Sequence, residues 1–121
     1  MYCCLFELRG YKAYQCEYLY EKTIKILQGI LNAADRFARI NRTQIMLVLP
    51  FISAEEVRKY TLDLQTHVET ALGEEIRCYC CAAEVRNSAI LDAVQISKQL
   101  LQNTNRHNRL TVLHYYHFKD F

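Results

Sequence analysis

The sequence predicts an α+β domain in which helices pack on a central, mainly antiparallel sheet. Runs such as residues 3–8 and 45–49 are short, apolar and strand-like, whereas three longer stretches repeat apolar residues at three- and four-residue steps, the period of an amphipathic helix. Between them, two apolar arms flank the polar turn Asn41-Arg42-Thr43-Gln44, and the second arm stops at Pro50, which has no N–H for a ladder.

Each element has its own signal. Residues 3–8 are apolar at nearly every position, as expected of a central strand covered on both faces, and Arg9-Gly10 breaks the run. Tyr20, Ile24, Leu27, Leu31 and Ala34 share one face of a first helix, which Gly29 weakens without ending. The arms Phe37-Ala38-Arg39-Ile40 and Ile45-Met46-Leu47-Val48-Leu49 form a hairpin whose turn draws on the tolerance of Asn41 for positive φ. Ser53-Ala54-Glu55-Glu56 is a capping box, the hydroxyl and the carboxylate each satisfying a free N–H at a helix start. Val57, Tyr60, Leu64, Val68, Ala71 and Leu72 form that helix's buried stripe, and Gly73 stops it in a left-handed conformation.

Residues 75–85 read as a strand and Asn87-Ser88 as a cap. Ile90, Ala93, Val94, Ser97, Leu100 and Leu101 mark a third amphipathic helix, and a polar turn over 103–108 leads into a last strand at 110–114. The order βαββαβαβ extends a ferredoxin-like βαββαβ core, with helices packed on the sheet, chiefly on one side.

A chain of 121 residues that is 51% apolar fits one domain, 1–121, with residues 114–121 as a tail. Fifteen basic and 13 acidic residues leave a net charge of +2, too small to call for nucleic acid or an anionic membrane as partner. No apolar run approaches the ~18 residues of a membrane span, and no signal sequence follows Met1, so a cytoplasmic chain is expected.

The six cysteines cluster in apolar strand sequence and read as reduced, buried thiols. Cys78-x-x-Cys81 has zinc-knuckle spacing, but strand alternation puts Cys78 and Cys80 on one face and Cys81 on the other, so no metal site is expected there. His114 and His117 would share a face only on a helix, and an irregular tail does not bring them together. His67 reads as solvated, and neither a nucleophile elbow nor a glycine-rich phosphate loop is present.

Asp35 ahead of the first arm, Ala38-Arg39-Ile40 on it and Leu47-Val48-Leu49-Pro50 closing the second resemble the signature hairpin of GGDEF domains, which make cyclic di-GMP. In that family the tip reads Gly-Gly-Asp-Glu-Phe; here it is Asn41-Arg42-Thr43-Gln44-Ile45. The resemblance runs from Tyr2 to about Leu113. After Gly73 it rests on element order and on Asn108-Arg109, where the family has Gly-Arg-Asn-Arg. It implies a domain without the family's leading helix.

The resemblance also implies site positions. Glu7 stands where the family's first-strand Asp holds magnesium, Arg9 stands where it has a second acid, and Lys12 keeps the phosphate-pairing cation. Thr43 replaces the metal-binding acid of the tip. Gln15 matches the guanine-reading Asn in a loop that is otherwise largely deleted. The product-binding, inhibitory Arg-x-x-Asp becomes Asn32-Ala33-Ala34-Asp35, which keeps the acid and loses the guanidinium.

Phosphoryl transfer relies on metal ions to neutralise charge on the transferring group, and magnesium usually takes one or two carboxylates besides phosphate and water. Glu7 alone makes a poor site. In a structural reading, Glu7 pairs with Arg9, Lys12 or Arg42, since an unpaired acid in an apolar strand is costly. The expectation is therefore a degenerate domain with no catalytic residue, metal or cofactor and no diguanylate cyclase activity. It would serve bacterial signalling as a regulatory or protein-interaction module, with a protein partner or a second copy. Two alternatives are a receptor for a nucleotide or cyclic di-GMP, using Lys12, Asp35 and nearby arginines, and a small α+β interaction domain unrelated to nucleotides.

Overall fold

A computed structural model describes residues 1–85, 90–103 and 109–114. Strand β1 (Tyr2–Arg9) lies in the middle of a five-stranded sheet, antiparallel to β3 (Gln44–Leu49) on one side and to β4 (Arg77–Glu84) on the other. Strand β2 (Arg36–Asn41) pairs antiparallel with β3, and β5 (Leu110–Leu113) runs parallel to β4, giving the order β2-β3-β1-β4-β5.

The doubly apolar character of β1 follows from helices on both faces. Cys4, Phe6 and Leu8 join the main core with Leu19, Tyr20 and Leu27 of α1 (Cys16–Ile30) and Val57, Leu64 and Val68 of α2 (Val57–Leu72). On the opposite face Leu5 packs with Tyr79 and with Leu101 of α3 (Ile90–Asn103). Two helices of three thus share one side, and α3 covers the other.

Helix α1 departs from the expected stripe at its end. Leu31 is already extended (φ −71°, ψ 148°), so Leu31 and Ala34 lie beyond the helix in a turn closed by the Asp35 N–H on the Asn32 carbonyl at 3.0 Å. The inward face is Cys16, Leu19, Tyr20, Thr23 and Leu27, because the three- and four-residue steps begin one turn earlier than the apolar residues alone suggest.

The hairpin turn also differs from expectation. Its two central residues are Arg42 and Thr43, and no described residue other than glycine has positive φ. Asn41 contributes through its side chain, whose Oδ1 accepts the Thr43 N–H at 2.9 Å in an Asx turn, while a bulge between Arg39 and Asn41 takes up the twist.

At the start of α2 the Glu56 N–H donates to Ser53 Oγ at 3.2 Å, as a capping box requires, but the Glu56 carboxylate accepts the Ser53 hydroxyl at 2.6 Å rather than a backbone N–H. Ala71 is exposed, whereas Thr61 and Gln65 are buried. Both polar residues are satisfied: Thr61 donates to the Val57 carbonyl, and Gln65 Nε2 donates to the carbonyls of Cys78 (2.8 Å) and Arg109 (3.0 Å). Gly73 has positive φ (+108°, ψ 167°), outside the left-handed helical region.

All six thiols are free and buried, with Cys4, Cys78 and Cys80 in the main core. Burial pushes the Cys3 thiol up to about 11 and that of Cys81 to about 12. His114, the first residue of the expected tail, is held against β1: the Tyr2 hydroxyl lies 2.5 Å from its Nδ1, and the two rings meet edge to face. The Asn87-Ser88 cap, the turn residues 104–108 and the segment 115–121 with His117 lie outside the described residues. No described helix is long and apolar enough to cross a membrane.

Candidate functional site

The hairpin tip is brought to the N-terminal end of α1 by a tight exit from β1. Gly10 has φ +94°, and a Cβ there would sit 2.2 Å from the Glu75 carbonyl oxygen, so only glycine fits the chain at this point. Lys12 and Gln15 then close a 3-10 turn (Ala13–Gln15), the Gln15 N–H donating to the Lys12 carbonyl and the Lys12 N–H to Gln15 Oε1, each at 2.8 Å. The Lys12 ammonium has no ion pair among the described residues and points to solvent.

Cross-links fasten the tip to α1. The Tyr20 hydroxyl, fully buried, accepts the Leu8 N–H at 3.0 Å and donates to the Thr43 carbonyl. Arg39 reaches across with both terminal nitrogens to the Glu17 carboxylate (2.9 and 3.0 Å), donates to the Arg42 carbonyl at 2.5 Å and stacks over the Tyr20 ring at 5.0 Å. Arg42 Nε lies 3.8 Å from the same carboxylate. These cations, led by the Arg39 hydrogen bond, hold the Glu17 carboxyl below its ordinary range.

Glu7 sits opposite Gln44 in the β1–β3 register, one residue from Thr43. Strand alternation places it on the α3 face beside Arg9, whose Nε and Nη2 donate to Glu7 Oε2 at 3.0 and 2.9 Å. The same guanidinium donates to the Leu101 carbonyl at 2.7 Å and covers the Tyr79 ring at 4.0 Å. Of the three partners weighed for Glu7, the structure selects Arg9. Thr43 uses its N–H and hydroxyl on Asn41 Oδ1. Glu7, Lys12, Gln15 and Thr43 therefore gather at one end of the sheet, with Glu7 Oε2, Gln15 Oε1 and the Thr43 N–H and hydroxyl engaged with neighbouring protein.

Asn32 and Asp35 lie at the other end of α1 and of the hairpin, in a groove of about 530 Å³ whose walls include Ala34, Phe51, Ile52, Glu55, Lys59, Tyr60 and Asp63. The Asp35 carboxylate accepts the Tyr60 hydroxyl at 2.6 Å and the Asn32 N–H at 3.1 Å. Burial, reinforced by this carboxylate, pushes the Tyr60 hydroxyl up to about 12. Arg36 sends its guanidinium to the carbonyls of Ala33 and Asp35. The walls carry four carboxylates, Asp35, Glu55, Glu56 and Asp63, against the single ammonium of Lys59.

Sequence reasoning missed Glu17, Tyr20, Tyr60 and Phe51. Tyr20 and Tyr60 were legible as helix-stripe positions, but nothing in their spacing tells that the hydroxyls reach Thr43 and Asp35. Arg109, noted within Asn108-Arg109, forms an ion pair with Glu69 of α2, whose Oε2 also accepts the Cys78 N–H at 2.9 Å. Among the described residues no group of three or more His, Cys, Asp or Glu side chains is arranged to hold a metal.

Neither a protein-family model nor a curated protein matches this chain by sequence. By structure it is similar to the GGDEF domain of DgcB from Caulobacter crescentus, solved in complex with c-di-GMP, with a TM-score of 0.74 and 12% identity over 92% of this chain and 76% of that one. It is also similar to the active GGEEF domain of a diguanylate cyclase from Vibrio cholerae (TM-score 0.69, 14% identity, 92% and 81% covered). PelD 158-CT from Pseudomonas aeruginosa PAO1 aligns with a TM-score of 0.50 at 18% identity, over 89% of this chain and 40% of that one. The fold is GGDEF-like.

Proposed function

We propose that this chain is a catalytically inactive GGDEF-like domain that works in cyclic di-GMP-related signalling as a regulatory, protein-interaction module. The observation that carries the reading is the self-engagement of the hairpin end. Glu7, the acid at the family's metal position, is held by Arg9 through two nitrogens. Thr43 has no carboxylate to offer, and the tip is fastened to α1 by the Arg39–Glu17 pair and the Tyr20–Thr43 hydrogen bond. A metal-triphosphate approaching here would meet Arg9 with no unpaired second acid to hold the ion, since Glu17 is already taken by Arg39.

The receptor reading has one observation in its favour: Asn32 and Asp35 both line the groove of about 530 Å³. Against it, Asp35 is already bonded to Tyr60, and the groove's four carboxylates disfavour a phosphodiester ligand. Isothermal titration with GTP, ATP and cyclic di-GMP tests this. No heat of binding at micromolar ligand is expected; micromolar binding abolished by Asp35→Ala would replace the interaction module with a receptor.

A further inference from the structure

We draw no further inference here: the strongest candidate, the groove between the turn that follows α1 and the first turns of α2, with the carboxylates of Asp35, Glu55, Glu56 and Asp63 on its walls and the exposed Phe51 beside them, carries nothing because nothing in the structure shows what covers it.

Discussion

Tyr20 is the side chain on which most of the hairpin end converges. Its ring is buried in the main core and covered by the Arg39 guanidinium, and its hydroxyl joins the Leu8 N–H to the Thr43 carbonyl, so β1, α1 and the tip meet at one oxygen. Burial pushes that hydroxyl well above the ordinary tyrosine range, which keeps it protonated and able to donate. Tyr20→Phe removes the oxygen and leaves two buried backbone groups unpaired, a loss expected to cost about 1–3 kcal/mol in urea unfolding. A change under a few tenths would mean that water or a shifted backbone satisfies both groups. The sequence could place Tyr20 on the buried face of a helix, since three- and four-residue steps report direction. It could not reveal the hydroxyl's partners, because those depend on how far the tip folds back.

Among the elements, β1, α2 and the hairpin arms were legible in the chain because their apolar periods are uninterrupted, and Cys78 and Cys80 fall on one face as strand alternation requires. The junctions were less legible. Leu31 and Ala34 continue the helical period in sequence but follow the end of α1, and Thr61 and Gln65 occupy inward positions that only their hydrogen bonds to backbone make tolerable. Glycines separate junctions from interiors. Gly10→Ala drives a Cβ against the Glu75 carbonyl in a positive-φ conformation and is expected to cost more than about 3 kcal/mol. Gly29→Ala, inside α1 with nothing within 4 Å, should stabilise by about 0.5–1 kcal/mol. Equal effects in chemical denaturation would contradict the assigned backbone at Gly10.

For the molecule as a whole, the candidate site was legible in outline, since Glu7, Lys12, Gln15 and Thr43 do assemble at one end and Asn32 and Asp35 at the other. What sequence could not show is that Arg9 and Glu17 spend the charges there, because partner choice between i and i+2 or across 22 residues is a matter of geometry. The buried thiols give the fold a pH signature. Their folded pKa values, about 11 for Cys3 and about 12 for Cys81, lie above the roughly 8.5 of an unfolded cysteine, so the native state holds protons that the unfolded chain releases. Their contribution is complete below about pH 8.5 and is lost as pH rises through the folded values. Urea midpoints under reducing conditions should fall steadily between pH 8 and about 10.5, and a flat profile would mean accessible thiols. The central claim, that this GGDEF-like frame no longer makes cyclic dinucleotides, is tested most directly by incubating the pure protein with magnesium and GTP and resolving the products by liquid chromatography and mass spectrometry. The account predicts GTP recovered intact; a cyclic dinucleotide that forms with time and disappears in Glu7→Ala would contradict it.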